Sequence, residues 1–298
     1  MRQRTLVVAA LAPVAVLVLS ASGCGGGTST YAAATIEKTT PPQVTARDYD
    51  RSNFSSSTSV DNAWYPLRPG IQLIFRGLSA EGKQRMPHLV IFTVTDLVKE
   101  IDGVRSVVLW DRDYSAGELV ESEIAFFAQD DDGNVWQTGE YPQEYENGNI
   151  VASPIWIHGQ KGARAGLTMR ADPRLGTIDY SLGWGPAVGF NDRARVLRMG
   201  ETNCVPLGCY RNVLVTDEFN PDEPGKHQLK YWARGIGNIR VGWSGKNETT
   251  KETLVLVGIN ALDPKGMAEA RAEAIKLEES AYKRRAAVYG NTPPLKRG

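Results

Sequence analysis

Several features common in enzymes and in nucleic-acid-binding proteins are missing from this 298-residue sequence. Lys plus Arg and Asp plus Glu each number 34, so the chain lacks the basic excess that nucleic acid selects. The three histidines, His88, His158 and His227, stand far apart, and none belongs to an HExxH pair. No GxSxG elbow, P-loop or dinucleotide fingerprint occurs. We therefore predict no catalytic residues, no cofactor and no nucleic-acid partner.

The sequence also lacks an apolar run long enough to cross a membrane. Its longest such run covers residues 6–19, whereas a spanning helix needs about 20 residues. A basic start precedes this run and small residues follow it, which is the pattern of a cleaved secretory signal. Residues 21–24, Ala-Ser-Gly-Cys, resemble a bacterial lipobox, although Ala stands where Leu is commonest. The resemblance implies cleavage before Cys24 and lipidation of Cys24; ordinary cleavage with a free thiol is the alternative.

The composition also divides the chain that follows the predicted signal into a tether, a β domain and a C-terminal helix. Residues 25–59 are rich in Gly, Ser and Thr and poor in large apolar residues, which is typical of a disordered spacer. We predict a signal peptide over 1–23, a lipidated Cys24 and tether over 24–59, a β domain over 60–262, and a C-terminal helix and tail over 263–298. The lipid would hold the exported protein on the membrane of a bacterial cell envelope.

The β domain is indicated by alternating apolar and polar residues, for example over 88–98, 104–113 and 118–129. Asp102-Gly103, Asp132-Gly133 and Asn147-Gly148 supply residues that tolerate positive φ in tight hairpin turns. Sequential hairpins predict a mainly β fold, in which a single antiparallel meander forms a curved sheet or half-open barrel. A two-sheet sandwich is the alternative.

A long helix is predicted to follow over 264–289. Asp263-Pro264 is a favoured helix start, and Gly290 is a favoured stop. One stripe of the helix carries its apolar residues, which are Met267, Ala270, Ala274, Leu277, Ala281 and Val288. The stripe indicates a helix that lies along the β domain; a surface for a protein partner is the alternative.

Two cysteines remain if Cys24 carries lipid. Cys204 and Cys209 flank a turn-like Val-Pro-Leu-Gly segment, and export places them where disulfides persist. We predict a structural disulfide between them. A redox-active pair is the alternative, although the CxxC spacing is absent.

Acidic residues give two further candidate sites. Asp130, Asp132 and Asn134 have the spacing that begins a calcium loop, but position twelve is Tyr141 instead of Glu. A charged hairpin turn is the preferred interpretation, and a weak calcium site is the alternative. Paired carboxylates for glycoside hydrolysis could come from one group of glutamates: Glu118, Glu121, Glu123, Glu140, Glu144 and Glu146.

Aromatic residues are frequent in the predicted strands. Such residues mostly form core, but on a curved sheet they also form apolar pockets. The candidates for a pocket are Phe92, Trp110, Phe126, Trp136 and Trp232.

A set of short motifs resembles a family of exported bacterial proteins. The opening is Asn62-Ala63-Trp64-Tyr65-Pro66-Leu67-Arg68-Pro69-Gly70, and further matches lie at 127–130, 133–136, 144–148 and 231–237. Neither the cysteine pair nor the long helix belongs to the pattern of that family. The family has no assigned reaction, so the resemblance transfers no functional residues.

These observations favour a non-enzymatic, surface-tethered protein that binds an apolar or envelope-derived ligand. The first alternative is a hydrolase of envelope glycans, which requires two convergent carboxylates in a cleft. The second is a scaffold lipoprotein that acts through an exposed stripe of the C-terminal helix.

Overall fold

The structure, a computed structural model, describes residues 49–81 and 84–298. The predicted signal, Cys24 and most of the predicted tether lie outside the described residues. Residues 49–59, which the composition assigned to the tether, pack against the β domain. Asn53 donates a hydrogen bond to Asp132, and the ring of Tyr49 contacts that of Trp136. The packed domain therefore begins before residue 60, because a few specific contacts outweigh a polar local composition.

Sixteen β-strands and two α-helices occur in the described part of the chain. The strands are β1 (Ile71–Glu81), β2 (Gln84–Ile101), β3 (Val104–Ser115), β4 (Glu118–Gln129), β5 (Val135–Glu146), β6 (Asn149–Ala152), β7 (Trp156–Ile157), β8 (Arg164–Met169), β9 (Tyr180–Ser181), β10 (Gly183–Trp184), β11 (Arg193–Val205), β12 (Gly208–Phe219), β13 (His227–Ala233), β14 (Gly237–Ser244), β15 (Thr253–Ala261) and β16 (Lys296–Arg297). The helices are α1 (Pro264–Arg284) and α2 (Ala286–Tyr289).

The strands form one antiparallel sheet, in which thirteen follow the order β10-β8-β5-β4-β3-β2-β1-β15-β14-β13-β12-β11-β9. The three short strands outside this order pair at its side, β6 and β7 with β5 and β16 with β2. Two meanders, β1 to β5 and β11 to β15, are joined where β1 pairs with β15. The two ends of the order, β9 and β10, are separated in sequence only by Leu182. The sheet therefore curves into a nearly closed barrel, which confirms the predicted half-open barrel over the sandwich.

The turns follow the sequence signals. Asp102 and Gly103 between β2 and β3 both have positive φ, and so do Asn147 and Gly148 between β5 and β6, as type I′ turns require. Cys204 and Cys209 are cross-strand partners at the β11–β12 turn and form the predicted disulfide.

Alternate residues of each strand face opposite sides of the sheet. Leu109 and Phe127 point into the barrel, where they share a buried cluster with Trp232. Trp110 and Phe126, their neighbours in sequence, point outward and are covered by the C-terminal helix. The protein thus has two layers of core, one inside the barrel and one beneath the helix.

Helix α1 begins as predicted, with the Asp263 carboxylate accepting a hydrogen bond from the Gly266 N–H. The predicted single helix is interrupted at Arg285, where φ is −130° and ψ is 33°, and α2 then ends before Gly290. Four residues of the predicted stripe, Ala270, Ala274, Leu277 and Ala281, are buried against the β domain, and Met267 and Val288 are half-buried. Among the described residues, no helix has both the length and the apolar character needed to cross a bilayer.

A buried ion pair fastens the C-terminal segment to β2. Lys99 is fully buried, and its Nζ donates to Glu278 Oε1 at 2.6 Å and to the Pro293 carbonyl at 2.7 Å. Glu278 also accepts hydrogen bonds from the Leu295 N–H and the Tyr289 hydroxyl. Burial lowers the pKa of Lys99 to about 8, against the opposing effect of Glu278.

The segment that precedes β1 crosses one end of the barrel. We call residues 60–70 the mouth segment. The Asn62 side chain donates to the Gly133 carbonyl in the β4–β5 turn, and the Ala63 carbonyl accepts from the Gly235 N–H in the β13–β14 turn. These bonds tie the segment to both sides of the opening. Residues 62–70 therefore have a structural role as the cover of this mouth.

Candidate functional site

A cavity of about 90 Å³ lies inside the barrel beneath the mouth segment. Tyr65 and Leu67 of that segment line it, and most of its wall is apolar. The strand residues that form this wall include Leu73, Phe75, Phe92, Leu109, Phe127 and Trp232. Space of this size inside a close-packed interior is uncommon and accepts a small ring, a short acyl chain or several waters.

The structure divides the five aromatic residues that the sequence offered for a pocket. Phe92 and Trp232 line the cavity. Trp110 and Phe126 instead lie under helix α1, and Trp136 packs with Tyr180 and donates from its indole N–H to Asp130. The separation follows from strand alternation, since a one-residue step moves a side chain to the other face of the sheet.

One side of the cavity is polar. Gln137 donates to Glu140 at 2.7 Å, and Gln228 donates to Glu252 at 3.1 Å. Lys230 forms an ion pair with Glu218, with Nζ and Oε2 2.7 Å apart. Each of these cavity-lining side chains therefore uses its polar end to contact an acidic residue.

Two other polar atoms of the wall have no partner among the described residues. They are Thr168 Oγ1 and Asn238 Oδ1, both buried and both on residues that line the cavity. Buried polar groups in native proteins are nearly always hydrogen-bonded. These two atoms therefore indicate positions where a bound molecule would find hydrogen-bonding partners.

Beyond the apolar part of the interior lies a group of buried carboxylates on the β3–β4 hairpin. Asp111 is the cross-strand partner of Glu123, and Asp113 is the partner of Glu121. Like charges directly opposite each other destabilise a sheet, yet all four are at most 2% exposed. Asp111, Glu121 and Glu123 bring their carboxylate oxygens within 4.8 Å of one another. We call these three residues the carboxylate trio.

Burial raises the pKa of each member of the trio well above its usual range, and the neighbouring carboxylates raise it further. Asp111 accepts a hydrogen bond from the Arg112 backbone N–H, and Glu121 and Glu123 are hydrogen-bonded to each other, but no described side chain outside the trio donates to these carboxylates. The arrangement therefore places three acidic groups, which are either ionised or neutralised by protons, in an interior that is shielded from water.

His88 on β2 lies at the edge of this group. Its Nε2 makes a short contact with Asp113, and its Nδ1 lies 2.9 Å from Glu252 Oε1. Burial alone would lower the pKa of His88, but the hydrogen bonds and charges of these two carboxylates outweigh it and raise the pKa to about 10. His88 is thus paired with two acidic side chains, and its raised pKa favours the protonated imidazolium at neutral pH.

The sequence interpretation missed half of this acidic group. It named Glu121 and Glu123 as possible paired carboxylates but did not consider Asp111 and Asp113. The signal was present, because an Asp-x-Asp and a Glu-x-Glu lie symmetrically around the Ala116-Gly117 turn. Hairpin pairing through that turn places all four side chains on one face.

Two of the remaining glutamates in the proposed hydrolase set lie near the trio. Besides burial, the charge of Glu140 raises the pKa of Glu123, and that of Glu144 raises the pKa of Glu121. Glu118 and Glu146 are exposed at strand ends, and Glu144 is half-buried, whereas Glu140 is buried beside Gln137. The trio itself is 1–2% exposed, so it lies within the barrel and not in an open cleft.

The candidate calcium loop is a hairpin turn. Asp130 accepts hydrogen bonds from the Asn134 backbone and side chain and from Trp136. Asn134 Oδ1 accepts from the Ala171 N–H, and Asp132 accepts from Asn53. The oxygens that would bind a cation are thus engaged in fixing the turn and the neighbouring chain.

Comparison with known proteins gives limited information. No family model matches the chain, and no curated protein matches it. A candidate exported protein with a YmcC-like fold from Bacteroides fragilis NCTC 9343 aligns at 14% identity and a TM-score of 0.40, covering 67% of this chain and 99% of its own. A candidate lipoprotein from Parabacteroides distasonis ATCC 8503 aligns at 10% identity and a TM-score of 0.36, covering 67% of this chain and 100% of its own. Likeness at this level supports no inference about function, so the site is interpreted from its own geometry.

Proposed function

We propose that this protein is an exported, lipid-anchored binding protein whose barrel holds a small, largely apolar molecule. The observation that carries the proposal is the cavity beneath the mouth segment. A wall of apolar and aromatic side chains with a few convergent polar groups is the usual composition of a ligand site. The ligand, or the inserted part of a larger envelope molecule, would have the size of a ring or a short acyl chain.

The polar wall supports a ligand that also carries a hydrogen-bonding group. Asn238 Oδ1 accepts hydrogen bonds, and Thr168 Oγ1 can accept or donate one. Glu218 adds negative charge to the lining, and Lys230 partly neutralises it. A hydroxyl or amine on the ligand would satisfy these groups, whereas a carboxylate would meet the acidic side of the interior.

The export and anchoring part of the proposal rests on residues 1–24. The basic start, the apolar run and the lipobox-like residues 21–24 support a lipid on Cys24. The lipid would keep the barrel beside a membrane, where molecules with apolar parts are concentrated.

Native mass spectrometry tests the binding function. The full chain is isolated with its membrane in lipid nanodiscs, and the mass of the released protein shows what it retains. We expect one small molecule per chain in the wild type. Leu73→Phe enlarges a half-buried side chain of the cavity wall and should abolish retention. Leu207→Phe is the matched control at an exposed position and should leave retention unchanged.

The proposal fails if the wild type carries no molecule, or if Leu73→Phe retains the same molecule at the same occupancy. Circular dichroism of both variants shows whether a loss reflects the filled cavity or an unfolded chain.

Hydrolysis of a glycan is less compatible with this geometry. Glycosidases place two carboxyls about 5–9.5 Å apart in a cleft that admits a sugar. The oxygens of the trio lie within 4.8 Å of one another and are enclosed by the sheet. A glycan would reach them only if the barrel opened.

A further inference from the structure

We propose that the carboxylate trio, Asp111, Glu121 and Glu123, binds a hard divalent cation inside the barrel, with Ca²⁺ as the best fit. This site is separate from the apolar cavity, and it does not depend on the nature of the ligand there.

The spacing of the oxygens suits a shared ion. Protein oxygens lie roughly 2.3–2.6 Å from Ca²⁺, so two oxygens that bind the same ion are at most about 5 Å apart. One carboxylate oxygen from each member of the trio satisfies this limit, because all lie within 4.8 Å of one another. The three side chains are fixed by adjacent paired strands, and the backbone therefore presents them together without a mobile loop.

The trio also has unused bonding capacity. No described side chain outside the trio donates a hydrogen bond to any of its six oxygens, although each side chain is at most 2% exposed. Most buried carboxylates in native proteins are paired, hydrogen-bonded or bound to metal. Buried carboxylates that converge, with no donor side chain from outside the group, are therefore an independent sign that the site binds a cation.

His88, Lys230 and Arg112 act on the trio through their charge, but among the described residues none of them forms an ion pair with it. His88 lies between Asp113 and Glu252, and Lys230 is paired with Glu218. Arg112 points to the other face of β3, where its guanidinium stacks over the Trp110 ring at 4.0 Å. The charge of the trio therefore has no dedicated counter-ion among the described side chains.

The ligand chemistry points to calcium. An all-carboxylate site favours hard cations such as Ca²⁺, Mg²⁺ and Mn²⁺ over soft ones. Three carboxylates offer up to six oxygens, which fits the six to eight that Ca²⁺ accepts. Mg²⁺ usually keeps several waters, and an enclosed site of this kind has little room for them.

Equilibrium dialysis tests the proposal directly. The full chain in a non-ionic detergent is stripped with EDTA and dialysed at pH 7.5 against CaCl₂, with MgCl₂ and MnCl₂ as comparisons. We expect one Ca²⁺ per chain with a Kd at or below about 1 mM, the weak end of the range for extracellular calcium modules. Thermal unfolding of the same samples should shift upward with CaCl₂, because the ion binds only the folded chain.

Variants locate the ion. Glu121→Gln removes one carboxylate without changing shape and should weaken Ca²⁺ binding by more than about tenfold, since affinity follows the charge of the ligands. Glu118→Gln is the control on the same strand, at an exposed position, and should bind as the wild type does. Asp111→Asn is the second variant, so that one poorly folded protein does not decide the result.

Two outcomes overturn the proposal. If the EDTA-stripped wild type takes up no cation at a concentration of about 10 mM, tenfold above the expected upper limit of Kd, the trio is neutralised by protons alone. If Glu121→Gln and Asp111→Asn both bind Ca²⁺ as tightly as the wild type, the ion lies elsewhere.

Discussion

The Lys99–Glu278 pair allows a quantitative test of how the C-terminal helix is held. We consider Lys99→Met, which keeps the length of the side chain but removes its charge. Glu278 then remains buried and loses its 2.6 Å bond to Nζ. Removal of one partner from a buried ion pair typically costs about 3–5 kcal/mol. Glu278 keeps its bonds from the Leu295 N–H and the Tyr289 hydroxyl, so we expect a loss near the lower limit, about 3 kcal/mol.

The double variant Lys99→Met with Glu278→Gln distinguishes the cost of an unpaired charge on Glu278 from the cost of lost side-chain packing. The amide removes the unpaired charge but still accepts from the Leu295 N–H. We expect the double variant to recover most of the loss, because the desolvation of Lys99, seen in its pKa of about 8, disappears as well.

Urea unfolding at pH 7, followed by tryptophan fluorescence, measures these differences. Lys265→Met is the control, because Lys265 is exposed and lies 3.7 Å from an exposed Glu269; exposed pairs contribute about 0–1 kcal/mol. A Lys99→Met protein as stable as the wild type would refute the reasoning. A double variant less stable than the single one would do so too.

Three further predictions concern single elements. Burial raises the pKa of Glu252 to about 7 from 4.5, although His88 acts to lower it, so the stabilisation from its proton is complete below pH 4.5 and lost as pH rises through 7. In the presence of EDTA, Glu252→Gln should therefore reduce the fall in unfolding free energy between pH 4.5 and 8 by on the order of 3 kcal/mol. A pH profile of stability identical to that of the wild type would contradict this. Asp263→Ala should lower the unfolding free energy by about 1 kcal/mol and Asp263→Asn by much less, and equal losses in urea titrations would exclude capping as the cause. Reduction of the Cys204–Cys209 disulfide should lower the unfolding free energy by about 2 kcal/mol in the loop-entropy model, and the double variant Cys204→Ser with Cys209→Ser should lower it by the same amount. If the reduced and oxidised proteins have the same urea unfolding midpoint, the disulfide constrains the unfolded chain little.

The sequence was sufficient to predict the sheet because its signals are local. Alternating residues and positive-φ turn residues specify β2 to β5 and their antiparallel pairing, and β4 was predicted over Glu118–Gln129, where the structure has it. The start of α1 was equally local, since Asp263 needs only the Gly266 N–H. By contrast, the break at Arg285 and the packing of residues 49–59 depend on contacts with distant residues.

The candidate site was harder to predict for the same reason. The face of the sheet on which Trp110 or Phe127 lies depends on the register of the whole barrel, which composition does not reveal. The pairing of His88 with Asp113 and Glu252 joins β2, β3 and the residue that precedes β15, so no local pattern signals it. Only the β3–β4 hairpin could have been derived, by pairing Asp111 with Glu123 through the turn.

The seam between β1 and β15 has a consequence for how this chain reaches its native state. β1 is complete at residue 81, but its partner spans Thr253–Ala261, near the end of the polypeptide. Contacts this far apart in sequence slow folding, because a long loop must close before they form. A chain that folds from its N-terminus would therefore carry an open strand edge until β15 pairs with β1, and such edges promote association with other chains. We expect the folding protein to depend on chaperones during this interval, and a truncation that removes β15 to aggregate instead of forming a smaller barrel.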